Sequence, residues 1–230
     1  MSVIIKKRNQ CLKDILISTI LATTGLASFG VGLYLSIQAN IGVAPWDTFY
    51  LGLSEKTGIQ YGNISIAASF IILIFDYLMK ERIGIGTLID AVIVGKTVDF
   101  CLWLDFIPAQ QKLWSSLLLM FFALFIMGFS QYLYMKAGLC CGPRDGMLLG
   151  ICKKFSKVPI GIISSAILCV VLFFGWRLDG PIGLGTLICV FLQGPIMQVC
   201  FALVHFRPTK VEHQDLIQSI RVIFGKEGKK

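Results

Sequence analysis

Charge is what this sequence has least of. Asp, Glu, Lys and Arg make up 15% of its 230 residues, where a soluble domain holds about 25%. So little charge cannot keep a chain that is 56% hydrophobic in solution as one globule. The mean hydropathy of +0.77 points the same way. Histidine is scarcer still: His205 and His213 are the only two, both near the C-terminus. The eight cysteines, Cys11, Cys101, Cys140, Cys141, Cys152, Cys169, Cys189 and Cys200, contain no CxxC. Neither a zinc site nor a disulfide framework is indicated, and most of these cysteines read as small apolar residues. Also missing are a Walker A loop, an H-E-x-x-H helix, a G-x-S-x-G elbow and a dinucleotide fingerprint. No metal site, cofactor or catalytic residue is expected, and the chain does not read as an enzyme.

What is present is apolar sequence in long pieces. Runs of about 20 apolar residues recur, the length that crosses a bilayer as a helix. They do not alternate in segments of about ten residues, as the strands of a membrane barrel would. The fold class is therefore all-α polytopic membrane protein. The net charge of +8 sits at the ends of the apolar runs and in the tails, where basic residues set topology, so no nucleic acid partner is read from it. Lys6, Lys7, Arg8 and Lys13 precede an apolar stretch over 15–37. That stretch is too long for a signal-peptide core and reads as an uncleaved first span.

The chain also repeats itself. Pro45 and Asp47 recur as Pro143 and Asp145, an offset of 98 residues shared by Gly30/Gly128, Tyr34/Tyr132, Gly52/Gly150 and Lys56/Lys154. One residue further out of step, Gly84-Ile85-Gly86-Thr87-Leu88 recurs as Gly183-Leu184-Gly185-Thr186-Leu187, and Gly95 as Gly194. Spans are expected over 15–38, 61–79, 84–106, 113–135, 159–176 and 182–206, with short segments over 45–54 and 143–152. The chain then divides into a basic N-terminus (1–14), a first membrane repeat (15–107), a linker (108–112), a second membrane repeat (113–206) and a basic tail (207–230).

A helix of about ten residues is about 15 Å long, half the hydrocarbon thickness. The short segments can enter the membrane and return, but they cannot cross it alone. If they return, six spans result and only Lys56, Lys112 and Arg177 lie outside, with Lys96 inside a span. If they cross, Lys80, Arg82, Lys136, Arg144 and Arg177 all lie outside. The positive-inside rule favours the first arrangement, with both termini cytoplasmic. Three spans per repeat is an odd number, so the second copy is inverted and the two re-entrant half-helices enter from opposite faces. Inverted repeats with broken helices are common in secondary transporters.

The candidate site follows from the short segments. Proline fits a first helical turn, and an acid two residues later meets the positive end of the helix dipole. Pro45, Trp46 and Asp47, with Pro143, Arg144 and Asp145, are the candidate solute-binding residues. Helix capping by the two aspartates explains the same pattern without a ligand. Arg144 stands where the first copy has Trp46. Beside two helix N-termini it suits a carboxylate or sulfonate-like group; a salt bridge, or snorkelling to the surface, is the plainer role. In the third span Asp90, Lys96 and Asp99 are candidate ion-coupling residues. Lys96 and Asp99 are spaced to pair, which leaves Asp90 without a partner on its own helix. The Gly-x-Gly-Thr starts of the third and sixth spans read as packing positions whose threonines can bond across helices. The tail from Arg207 reads equally as a basic surface helix or as a solubilising tail.

The paired blocks, Gly42-Val43-Ala44-Pro45-Trp46-Asp47 with Gly84-Ile85-Gly86-Thr87-Leu88, and Cys141-Gly142-Pro143-Arg144-Asp145-Gly146 with Gly183-Leu184-Gly185-Thr186-Leu187, resemble those of the bacterial YczE/YyaS/YitT group of integral membrane proteins. The resemblance covers residues 20–205 and implies a protein of the bacterial cytoplasmic membrane; it brings no site residues with it. Cys140-Cys141 departs from the small residues expected there. The reading preferred is a small secondary transporter or permease, its solute a small anion or organic acid. The alternatives are a solute-capturing subunit of a larger transport complex, and a membrane scaffold or regulatory partner. The expected partners are the lipid bilayer and a small solute, with a homo-oligomer left open.

Overall fold

A computed structural model describes residues 2–81, 84–138, 142–155 and 157–206. Cys140-Cys141 and the basic tail lie outside the described residues. Among the described residues all regular structure is helical: α1 (Ser2–Gln38), α2 (Pro45–Thr57), α3 (Tyr61–Leu78), α4 (Ile85–Leu104), α5 (Leu113–Lys136), α6 (Pro143–Lys154), α7 (Ile160–Arg177) and α8 (Leu184–Leu203). Five stretches are long and apolar enough to cross a membrane: Leu16–Gln38, Tyr61–Leu78, Leu113–Lys136, Ile160–Arg177 and Leu184–Leu203. The 20-residue α4 is as long as these, but it carries Asp90, Lys96 and Asp99. The 13 residues of α2 and 12 of α6 make helices of about 20 and 18 Å, short of the ~30 Å hydrocarbon.

Local chemistry sets where these helices begin and end. Ala44 and Gly142 are extended, at φ −60°, ψ 153° and φ −63°, ψ 163°, and proline follows each as the first helical residue. Gly58 ends α2 in the left-handed region at φ 71° and returns its N–H to Ser54 O, the usual glycine stop. The extended approach to α2 is not left bare. Val43 N–H donates to Pro181 O at 3.4 Å and Gly185 N–H to Ile41 O at 2.6 Å, which meets the demand for internal backbone partners in an apolar medium. The threonines of the Gly-x-Gly-Thr blocks act locally: Gly84 N–H donates to Thr87 Oγ1 and Gly183 N–H to Thr186 Oγ1, at 3.1 and 3.3 Å. These contacts cap α4 and α8.

The packing of the eight helices falls into matched pairs. At the centre α1 lies along α5. Helix α1 also meets α4, as α5 meets α8; α2 meets α7, as α6 meets α3; and α2 meets α3, as α6 meets α7. Glycines of the repeat carry this match. Gly30 admits Thr97 of α4, and Gly128 admits Cys200 of α8. The core, with Leu26, Leu33, Val98, Met120, Leu124 and Met127 buried, lies along the α1–α5 seam. Ile71, Ile74, Phe122, Phe191 and Val199 are exposed, an apolar exterior that a bilayer would cover. One pair is unmatched: α3 packs closely on α4, whereas α7 and α8 have no comparable contact.

Candidate functional site

The first turns of α2 and α6 face one cavity of about 340 Å³, lined by Ala44, Pro45, Trp46 and Asp47 from the first and by Arg144 and Asp145 from the second. A smaller lobe of about 180 Å³ shares Arg144 and Asp145 and adds Ser65, Ser69 and Asp90. Gln131 and Gln193 border both.

Arg144 holds the middle. Its guanidinium carbon lies 5.2 Å from the ring centroid of Trp46 and 5.2 Å from that of Tyr50. Trp46 and Tyr50 are one helical turn apart, so α2 presents both rings on one face. The attraction of a cation to such ring faces is worth about 0.5–2 kcal/mol apiece, most where water is excluded. Among the described residues no carboxylate lies within ion-pair distance of Arg144. The residues the repeat places in register, Trp46 and Arg144, are thus in contact with each other.

Asp47 is 1% exposed, and its Oδ1 accepts the Tyr61 hydroxyl at 2.8 Å. Tyr50 is fully buried, and its hydroxyl has no hydrogen-bond partner among the described residues. Asp145 is exposed to the cavity and Arg144 is half-buried. Asp90 sits with its carboxylate against Gly142, where α6 begins. One guanidinium and three carboxylates therefore surround the space, together with two helix N-termini, whose partial positive charges offset part of the acidity.

The other two residues singled out in α4 do something else. Lys96 donates to Asn63 Oδ1 at 2.7 Å, and Asp99 Oδ1 accepts the Gly62 N–H at 2.7 Å. The expected Lys96–Asp99 pair is absent, because each side chain reaches across to α3 instead, Asp99 to satisfy an amide of its first turn. Neither lines the two lobes. Sequence reasoning passed over Tyr50, Tyr61 and Asp76. The turn spacing of Trp46 and Tyr50 could have pointed to the first. Asp76, an acid within a span, could have been found by the rule that singled out Asp90.

The cavity wall differs between the repeats. In the first, α3 and α4 touch at Gly62 and Gly95: a methyl on Gly95 would lie 2.8 Å from Gly62 O, and one on Gly62 would strike Gly95 O. Their counterparts, Gly161 and Gly194, have nothing within 4 Å of an added methyl. Ser164, Ile167 and Leu168 of α7 and Cys189, Gln193 and Met197 of α8 instead line the main lobe between them.

Known relatives agree with the membrane reading. "Uncharacterized membrane protein YczE" of Bacillus subtilis is 29% identical over 174 residues, 75% of this chain and 79% of its own. "Uncharacterized protein YyaS" of the same organism is 31% identical over 189 residues, 79% of this chain and 92% of its own. A Haemophilus influenzae protein is 27% identical over 173 residues, 75% of this chain and 78% of its own. No solved structure matches the chain. The family of unknown function DUF6198 matches residues 16–202, and with its apolar helices and repeated Pro-x-Asp turns the chain belongs to that family of membrane proteins.

Proposed function

We propose that the protein is a small secondary transporter of the bacterial cytoplasmic membrane, with its solute held between the first turns of α2 and α6. In this reading α4 joins the five apolar stretches as a sixth span. The halves α1–α4 and α5–α8 are inverted repeats, α2 and α6 are re-entrant half-helices entering from opposite faces, and both termini are cytoplasmic. The repeated motif, the matched helix contacts and the placement of basic residues support it.

The observation that carries the reading is Arg144. A guanidinium between two aromatic rings, with no carboxylate in ion-pair distance, borders a 340 Å³ cavity of a size that suits a small ligand. An unpaired guanidinium in a membrane interior calls for an anionic group. Three carboxylates share the lining, so a solute with both a carboxylate and an ammonium group fits better than a simple anion. The carboxylate meets Arg144, and the ammonium meets Asp145 and Asp90.

Uptake into liposomes holding only the purified protein tests this. Zwitterionic amino acids and simple mono- and dicarboxylates are offered separately, with Arg144→Lys, Asp47→Asn and Asp145→Asn compared with the wild type. Uptake of a zwitterion that the variants lose while still folding is the expected result. Binding without flux would replace this reading with a capture subunit, and no binding across the panel would remove the site. For topology, cysteines at Lys56 and Lys154 in a cysteine-free background should label from opposite faces; labelling from one face overturns the inversion.

A further inference from the structure

One face of α6 carries glycines at every fourth position: Gly142, Gly146 and Gly150. Four residues advance a helix by about 6 Å, so they form one stripe. Each glycine has an acidic neighbour. A methyl on Gly142 would strike the Asp90 carboxylate. One on Gly146 would lie 2.6 Å from Asp76 Oδ2, and one on Gly150 would lie 3.2 Å from Glu81 Cγ. Asp90 borders the smaller lobe of the cavity. Glu81 stands at the other end, its side chain 7% exposed and ion-paired at 2.6 Å with Lys153, whose side chain is 69% exposed and meets the water. Between them Asp76 is 2% exposed, and its Oδ1 has no hydrogen-bond partner among the described residues.

The matched contact in the other half has an ion pair at its end, Lys56–Asp179, but among the described residues no buried acid lies against its glycines. There Thr48 of α2 packs against Gly175 and Gly180, and Gly175 stands where α3 has Asp76. A threonine and glycine fill that contact without an acid, so packing alone does not demand a carboxyl at Asp76. The charged side chain that acts on Asp76 is a second acid, Glu81, itself held by Lys153 of α6; Asp90 of α4 lies one glycine further along the stripe. Among the described residues no cation lies within ion-pair distance of Asp76, and a buried carboxylate so placed takes up a proton rather than stay ionised. The proton is the ligand that a single buried carboxyl can bind by itself.

We propose that Asp76 is a proton-binding site and that Glu81, Asp76 and Asp90 form a proton path along the glycine stripe of α6, from the exposed end of the α3–α6 contact to the cavity. The Glu81 carboxylate takes a proton from water and releases Lys153. Once Asp76 has given up its own proton, Glu81 passes one through an intervening water to the Asp76 carboxylate, and the Glu81–Lys153 ion pair re-forms. Asp76 then passes a proton, again through water, to the Asp90 carboxylate, which releases it into the lobe beside Arg144. Each acid gains one proton and loses one, so no net charge is left on the path. The proposal rests on the transporter reading only for what the proton drives.

Infrared spectra of the full chain in lipid vesicles test both parts without a solute. At mildly acidic pH the wild type should show a protonated-carboxyl band that shifts in D2O, and Asp76→Asn should lose a component of it. A wild type without that band, or a band unchanged in Asp76→Asn, overturns the proton site. The first of these results does not depend on any variant folding. For the path, the D2O shift should survive Glu81→Gln or Asp90→Asn alone, since one end stays open, and be lost or slowed in the double variant. A double variant that exchanges as fast as wild type overturns the path. Loss of solute uptake with these spectra intact would count against the transporter reading alone.

Discussion

Adding one methyl group to each of four matched glycines tests how the two halves differ. Gly62→Ala would drive Cβ into Gly95 O and the Asp99 carboxylate, which already accepts the Gly62 N–H at 2.7 Å. Gly95→Ala would place Cβ 2.8 Å from Gly62 O and 3.1 Å from its Cα. These neighbours are backbone and a fixed capping group, so they cannot step aside cheaply. Overpacking of this kind costs about 1–3 kcal/mol, set against a gain of about 0.5–1 kcal/mol from replacing a helical glycine with alanine. Gly161→Ala and Gly194→Ala meet nothing within 4 Å beyond their chain neighbours; Gly161→Ala should keep the gain, and Gly194→Ala only part of it, because Pro195 follows inside α8 and crowds a preceding Cβ. At about 2–4 °C per kcal/mol for a chain of this size, the first pair should melt lower than wild type and the second pair at or slightly above it. Thermal melts of detergent-purified protein followed by size-exclusion chromatography measure this. Equal shifts for both pairs would refute the reasoning, because they would mean that α7 and α8 pack as α3 and α4 do. If the proposed transport cycle closes α7 on α8, Gly194→Ala has a second signature: a stable protein with reduced uptake.

Two further predictions use single contacts. Tyr61→Phe removes the hydroxyl that donates to the buried Asp47 at 2.8 Å. It should cost about 1.5–3 kcal/mol, the range for a hydrogen bond to a charged group, and lower solute affinity; a melt indistinguishable from wild type would show that Asp47 is satisfied without it. Lys56→Ala breaks the 2.9 Å ion pair to Asp179, whose side chains are 45% and 80% exposed. The loss should stay below about 1 kcal/mol and fade in high salt, and a larger, salt-independent loss would show that this contact clamps α2 to the α7–α8 loop.

The Pro-x-Asp starts of α2 and α6 were legible because proline and an early acid declare a first helical turn by local chemistry alone. The same local logic failed for α4. Spacing suggested that Lys96 and Asp99 would pair on their own helix, but each was drawn across to α3, where Asn63 and an open Gly62 amide offered partners. Tyr61 was missed for a related reason: nothing in its own segment says that its hydroxyl will meet Asp47, 14 residues away and on another helix.

By itself, the sequence determined the membrane class, the repeat and the positions of the short helices. These follow from composition, from span length set by bilayer thickness, and from caps written within a few residues. Only the tertiary structure decided that Trp46 and Arg144, matched in the repeat, would touch. It also decided that Asp76 would be buried against α6 with its Oδ1 unpartnered among the described residues, and that the glycines closing α3 on α4 would have counterparts standing apart between α7 and α8. A repeat fixes which residues correspond. Which of them meet depends on side-chain volume and on the partners other helices bring within reach, and two copies with different side chains settle into different contacts.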